Sequence, residues 1–153
     1  MGATGRRVID LVSNAINKEG IAAATLTPGY CVKYDSNAEL ALQDDEGSAD
    51  AVRLVLPNSL EGQGMSDAYA IDDTVQFKTF APGDEVLLRI KDGENIAKGD
   101  QLTHDGAGKF REVVADSSGT KIEDAVKAIA LEACDMSSSS GGDADGFCLA
   151  EVV

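Results

Sequence analysis

FAPGDEVLLRIKDGENIAKGDQLTHDGAGKF, which runs from Phe80 to Phe110, is the most distinctive stretch of the chain. Within it, Pro82-Gly83-Asp84 and Lys98-Gly99-Asp100 each stand directly before a run that mixes apolar and polar residues. Glycine in such a turn permits a positive φ, and the aspartate can hydrogen-bond the neighbouring backbone. The stretch therefore predicts two sharp corners, each leading into a β-strand.

Short strand-sized runs separated by turn signals continue on both sides of this stretch, from Leu26 to the end of the sequence. The runs are YCVKYD, ELALQD, AVRLVLP, TVQFKTF, EVLLRI, QLTHD, KFREVV, KAIALEAC and FCLAEVV. Pro28-Gly29, Pro82-Gly83, Asp92-Gly93 and Asp105-Gly106 supply the backbone angles of tight reversals, which indicates hairpins. We expect a mainly β fold, a small β-barrel or β-sandwich over residues 26–153, with at most one or two short helices.

Two segments of this domain depart from the strand pattern. TKIEDAVKAIALEAC has apolar residues at helical spacing and predicts a short helix or turn around Ile122–Val126 that leads into a strand. The segment DMSSSSGGDADG, at about 135–146, is too poor in apolar residues to order itself. It predicts a mobile loop at a hairpin tip.

Residues 1–25 form the second part of the chain, which we interpret as an N-terminal arm. The spacing of its apolar residues is compatible with about two amphipathic helical turns. Those residues are Val8, Ile9, Leu11, Val12, Ala15 and Ile16. Because so short a helix is not stable alone, the arm either docks on its own domain or reaches a neighbouring molecule.

The charge of the chain bears on its partners. With 27 acidic against 13 basic residues, the formal net charge is −14. Such a surface repels phosphate backbones and anionic lipid headgroups, so we expect neither nucleic acid nor membrane as the main partner. No apolar run approaches the roughly 20 residues of a membrane-spanning helix, and MGATGRRVIDLV lacks the features of a signal peptide. We expect a protein made in the cytoplasm.

The sequence contains no pattern typical of a catalytic site. The one histidine, His104, falls in the turn sequence LTHDG, where we expect it to be exposed. GxSxG, P-loop and GxGxxG patterns are absent, so we expect no enzyme and no catalytic residue. Cys31, Cys134 and Cys148 lack CxxC or Cys/His spacing, which indicates three reduced, buried thiols and no metal or cofactor. The acidic segments DDEGSAD and GGDADG miss the EF-hand spacing and indicate solvated loops.

IAKGDQLTHDGAGKFREV, followed by AVKAIALEAC and the terminal FCLAEVV, resembles the decoration, or cement, proteins of tailed-bacteriophage capsids. In that group a strand leads into a GD.L..D..GK hairpin, then a strand of A.A.E type and a final V.V strand. PGYCVKYDSNAELAL is similar to their PG..V opening strand, so the resemblance covers most of residues 26–153. It implies a structural virion protein on the outer capsid surface, with the major capsid protein as partner and a homotrimer as oligomeric state.

Two alternatives stay open beside this interpretation. The I.KGD.L corner is also similar to lipoyl- and biotinyl-carrier domains, although their MKM or DKA lysine motif does not occur here. A tail or baseplate β-domain shares nearly all the same features. For a capsid-binding protein, we expect the apolar and cationic groups of the arm to make the contact. These residues are Arg6, Arg7, Val8, Ile9, Leu11 and Val12.

Overall fold

Short β-strands joined by turns make up residues 9–114, 124–137 and 146–153, the part that the computed structural model describes. Six of them form the largest sheet: β1 (Asp10–Val12), β7 (Glu85–Arg89), β9 (Gln101–His104), β10 (Phe110–Glu112), β11 (Ala128–Ala130) and β13 (Phe147–Val152). Their order is β1-β7-β13-β11-β9-β10, and every neighbouring pair is antiparallel.

Three smaller sheets accompany the six-stranded one. Their strands are β2 (Asn17–Ile21), β3 (Val32–Tyr34), β4 (Leu40–Leu42), β5 (Arg53–Val55), β6 (Thr74–Thr79), β8 (Asn95–Ile96) and β12 (Cys134–Asp135). One sheet has the order β2-β6-β5, β3 pairs with β4, and β12 pairs with β8. A single 3-10 turn at Ser59–Glu61 is the helical structure of the described residues.

The mainly β fold predicted from the sequence is confirmed, and none of the four sheets formed by the described residues closes into a barrel. Each of the nine strand-sized runs contains an observed strand. Residues 124–127 lead into β11 without helical structure, whereas 121–123, where the short helix was predicted to begin, lie outside the described residues. Asp135 belongs to β12, and 138–145 of the predicted mobile loop also lie outside them.

Buried apolar side chains form two clusters. The larger includes residues of the six-stranded sheet, among them Val86, Leu88, Leu102, Phe110 and Cys148. The smaller includes Val75 and Phe77, which alternate with polar residues along TVQFKTF, the pattern of a strand with one buried face. Tyr69 closes this second cluster, and its hydroxyl donates to the carbonyl oxygen of Leu56 at 2.7 Å.

The helical interpretation of the N-terminal segment is wrong. β1 pairs with β7, with Asp10 opposite Val86, and β2 pairs with β6 along its whole length. A short isolated helix is marginal, whereas both segments find backbone partners at the edge of an existing sheet. The two strands before residue 25 therefore belong to the same sheets as strands that follow it, across the predicted boundary between arm and domain.

Five turns that each bind one residue of another segment share one hydrogen-bonding design, and we call them the corner turns. In each, the fourth residue donates its N–H to the carbonyl of the first, and the third residue has a positive φ, as in a type II turn. The third residue is glycine in four of them and Asp72, with φ 69°, in the fifth. The corner turns are residues 27–30, 70–73, 81–84, 91–94 and 97–100.

Each corner turn binds one residue of another segment through two reciprocal backbone hydrogen bonds. In turn 81–84, Gly83 donates its N–H to the carbonyl of Val152 at 2.8 Å, and Val152 donates back to the carbonyl of Asp84 at 2.9 Å. Turn 97–100 binds Ala130 with the same two distances. The third and fourth residues of the turn thus face one residue of the partner segment, and the third has a left-handed conformation. This is the arrangement of a β-bulge. The remaining three turns bind Val55, Ala22 and Met136 in this way.

An aspartate closes three of the corner turns from within. The carboxylates of Asp73, Asp84 and Asp100 accept the N–H of the first turn residue, at 2.7 Å, 2.8 Å and 2.7 Å respectively. This bond satisfies a backbone donor that the turn itself leaves without a partner. The two Gly-Asp corners predicted from the sequence are therefore confirmed, and their aspartates act as predicted.

The hairpin prediction holds for Asp105-Gly106, which joins the paired strands β9 and β10, and is wrong for the other three glycine turns. Pro82-Gly83 and Asp92-Gly93 carry the chain from one sheet into another, and Pro28-Gly29 lies ahead of β3. A type II turn splays the segments that flank it, whereas two-residue hairpins use the primed turn types. These glycine turns consequently connect sheets.

Replacing Gly99 tests the conformational requirement of a corner turn. A Cβ at this position meets no atom within 4 Å, so the cost of Gly99→Ala is that of a left-handed alanine, about 1–2 kcal/mol of unfolding free energy. Gly99→Asn should lose less, since asparagine tolerates this conformation. The measurement is urea unfolding, with Gly64→Ala, at an exposed glycine without positive φ, as the control. Equal losses from Gly99→Ala and Gly64→Ala would contradict this account.

Candidate binding surface

The segment from Asp10 to Ile21 lies along the ends of two sheets, and we call it the N-terminal edge. β1 is the last strand of the six-stranded sheet and β2 the last strand of the three-stranded sheet. Among the strands that the structure describes, each has a neighbour on one side only. The outer backbone groups of such strands are the usual place for a further strand to pair.

Large apolar side chains are exposed along this edge. Val12 is 60% exposed, Ile16 77% and Ile21 41%. They are three of the eight exposed large apolar side chains among the described residues, concentrated in ten consecutive positions. Gly20 brings β2 close to the smaller core, because a Cβ there would lie 2.8 Å from Cδ1 of Leu40. The edge thus packs inward at Gly20 and presents apolar groups outward.

The contact residues predicted from the sequence have three different outcomes. Ile9 is 1% exposed and belongs to the larger core cluster, so the structure corrects its assignment as a contact residue. Its carbonyl accepts the N–H of Leu87 at 2.8 Å, and this pairing beside β7 places its side chain in the core. Val12 is exposed and Leu11 lies in β1. Arg6, Arg7 and Val8 lie outside the described residues.

Sequence reasoning missed Ile16 and Ile21, which extend the exposed apolar group beyond Val12. The helical interpretation grouped Ile16 with the other apolar residues of the arm, but the predicted contact residues end at Val12. Interpreting residues 10–21 as two edge strands with a connection between them would have found both isoleucines. The signal available was the run NKEGI, in which polar residues stand beside Ile21.

The acidic loop, residues 44–50, is exposed but held by cations of the same chain. Lys33 forms ion pairs with Asp44 and with Asp45, and Arg111 donates to Glu46 at 2.8 Å. The hydrogen bond from Lys33 lowers the pKa of Asp44. The loop is exposed, as predicted, and these three carboxylates form ion pairs with cationic side chains.

His104 is buried, which corrects the expectation of an exposed turn histidine. It is the last residue of β9, and its Nε2 lies 3.0 Å from the carbonyl oxygen of Asp50. Because that carbonyl can only accept, Nε2 carries the proton. The turn begins one residue later, at Asp105, whose carboxylate accepts the N–H groups of Ala107 and Lys109. His104 therefore faces inward as a strand residue and fastens the end of the acidic loop.

Buried polar groups beside His104 strengthen this attachment. Gln43, also buried, donates from Nε2 to the Asp50 carboxylate at 2.7 Å and accepts the N–H of Asp45 at 3.0 Å. The His104 carbonyl accepts the N–H of Gly47 at 3.0 Å. Within the described residues, Nδ1 of His104 has no hydrogen-bond partner. The arrangement binds a loop and leaves the imidazole neutral.

This environment makes stability depend on pH. Burial lowers the pKa of His104 below its ordinary value of 6.5, so the unfolded chain takes up a proton at a higher pH than the folded one. Stability is then complete above pH 6.5 and falls as the pH drops below it. Urea midpoints measured from pH 7.5 to 5.5 should decline in the native chain and decline less in His104→Gln. Parallel pH profiles for the two proteins would contradict the assignment.

The three cysteines are buried, as predicted, and carry no disulfide among the described residues. Two of them lie close together although 14 positions separate them in the sequence. The Sγ atoms of Cys134 and Cys148 and a carboxylate oxygen of Glu132 all lie within 4.8 Å of one another. One signal was available in the sequence, since Cys134 and Cys148 flank the Ser/Gly/Asp loop whose ends a hairpin would bring together.

No protein-family model matches this sequence, and a comparison with curated proteins likewise finds no match. Among the residues that the structure describes, no helix is long and apolar enough to span a membrane.

Proposed function

We propose that this chain is a structural virion protein, which binds the outside of an assembled tailed-phage capsid and stabilises contacts between major capsid subunits. The N-terminal edge is the proposed contact surface. The observation that carries the proposal is the exposure of Val12, Ile16 and Ile21 on the N-terminal edge. The two strands of this edge each form the end of a different sheet. The resemblance of residues 96–113 and the terminal strands to capsid decoration proteins supplies the identity of the partner.

The edge offers two kinds of interaction to a capsid subunit. Its outer backbone groups can pair with an extended segment of the partner, and its apolar side chains can be buried against it. Burying one such side chain contributes about 1.5–3 kcal/mol, so three of them suffice for a binding site of modest strength. Attachment at many copies of one shell then adds avidity.

The charge of the chain fits an outward-facing domain. A net charge of −14 keeps decorated particles apart in solution, and Asp44, Asp45 and Glu46 are exposed to solvent. Lys18 is exposed on β2, and Arg6 and Arg7 precede β1. Cations in this region lower the repulsion that an acidic chain would otherwise meet at an acidic capsid surface. The proposal includes a homotrimer, by analogy with decoration proteins.

Point substitutions test the contact better than truncation does. Deleting residues 1–20 would remove β1 and most of β2, which pair with β7 and β6, and would disturb the fold together with the contact. Ile16→Asp instead changes an exposed side chain between the two strands. We expect its affinity for undecorated capsids to fall at least tenfold, about 1.4 kcal/mol, in a co-sedimentation assay.

The matched control is Leu60→Asp, since Leu60 is 92% exposed on the 3-10 turn, outside the N-terminal edge. It should bind as the native chain does, and both variants should keep the native urea midpoint. Equal losses from the two variants would contradict the assignment of the edge. Association with isolated tails or baseplates, in place of capsids, would overturn the proposed partner.

A further inference from the structure

Glu132, Cys134 and Cys148 form a compact group that the capsid-binding proposal does not use. Cys148 lies in β13 of the six-stranded sheet, Cys134 lies in β12 of a two-stranded sheet, and Glu132 lies in the connection from β11 to β12. Both thiols are buried, and one ligand atom from each residue lies within 4.8 Å of the other two. The group stands where two sheets meet.

The corner turns fix the segment that supplies two of these residues. Turn 97–100 binds Ala130, and turn 91–94 binds Met136 with hydrogen bonds of 2.9 Å and 2.7 Å. Glu132 and Cys134 lie between these two anchored positions. On the other side, Cys148, the second residue of β13, is held by the pairing of this strand with β7, opposite Leu88. Backbone hydrogen bonds to other segments therefore hold the chain around each of the three residues.

The carboxylate of Glu132 is already oriented. Its Oε1 accepts the backbone N–H of Leu149 at 2.9 Å, the residue next to Cys148. Such a bond fixes the direction of the carboxylate, and a carboxylate that accepts one N–H can still coordinate a cation. Cys148 directs its Sγ towards the carbonyl of Glu132 at 3.6 Å, so the thiol also turns towards this residue.

We propose that Glu132, Cys134 and Cys148 bind a thiophilic divalent cation of the Zn²⁺ class. Zinc takes thiolate sulfur at about 2.3 Å and carboxylate oxygen at about 2.0–2.2 Å, so two sulfurs of a tetrahedral site stand about 3.8 Å apart. The observed limit of 4.8 Å requires side-chain shifts of at most about an ångström. Three protein ligands leave a fourth position for water or another ligand.

A cation explains the carboxylate in this group better than a disulfide between the two thiols does. A disulfide uses the two sulfurs alone, whereas Glu132 contributes a third hard or borderline ligand that zinc accepts. When all three residues act as ligands they carry three negative charges, and a divalent ion offsets two of them. The ion takes the place of the thiol protons and joins β12 to β13, so it should stabilise the contact between the two sheets.

Cobalt titration of the reduced, chelator-treated full chain tests the site directly. We expect one equivalent of Co²⁺ to give the visible ligand-field bands and the sulfur-to-cobalt charge-transfer band of a tetrahedral thiolate site, and Zn²⁺ to abolish them. Cys134→Ser and Cys148→Ser should each weaken binding at least a hundredfold. Glu132→Gln should weaken it about tenfold and keep the charge-transfer band.

Cys31→Ala is the matched control, because Cys31 is a buried thiol of a different strand pair and burial raises its pKa to about 12. It should keep the cobalt spectrum. A second measurement needs no substitution: Zn²⁺ should raise the Tm of the native chain, and chelator should reverse the rise. Absence of the charge-transfer band, or its persistence in the Cys134→Ser/Cys148→Ser double variant, would overturn the proposal. A Cys134–Cys148 disulfide that forms in air, without metal binding by the reduced chain, would overturn it as well.

Discussion

Two reciprocal backbone hydrogen bonds between a corner turn and one residue of another segment are the interaction on which the rest of this fold depends. A type II turn points its third N–H and its fourth carbonyl to the same side, and both would be left without partners if the turn stood alone. Here a single strand residue, such as Val152 or Ala130, satisfies both. Each such bond contributes about 1 kcal/mol, and leaving either group buried and unsatisfied would cost more. The turns therefore decide which segments lie side by side.

This constraint explains why the fold is a set of small sheets. A chain built from hairpins would pair each strand with the next one, whereas four of the five corner turns stand between strands of different sheets. β7, for example, lies between β1 and β13, which are far from it in sequence. The N-terminal edge is held differently. β1 and most of β2 rest on strand pairing alone, and only Ala22, just past β2, is bound by a corner turn. This segment carries three of the eight exposed large apolar side chains of the described residues.

Much of the strand pattern could be predicted from the sequence, because apolar alternation and Gly-Asp corners are local signals. The corners at 81–84 and 97–100 were recognisable since glycine and aspartate each have a defined role there. The turn at 70–73 was not, because Asp72 takes the place of glycine in a left-handed conformation. Pairing between distant segments leaves no local signal. For this reason the burial of Ile9 emerged only from the structure, and the run NKEGI and the loop between Cys134 and Cys148 are signals too weak to establish the N-terminal strands or the approach of the two thiols.

The account's central claim is that the N-terminal edge faces a capsid while the acidic loop faces solvent. Electron cryo-microscopy of the protein on its own particle tests this most directly, since it shows partner, orientation and copy number together. The account predicts that Val12, Ile16 and Ile21 lie against the major capsid protein and that residues 44–50 point away from the shell. An edge directed at solvent, with the acidic loop in contact with the capsid, would contradict it.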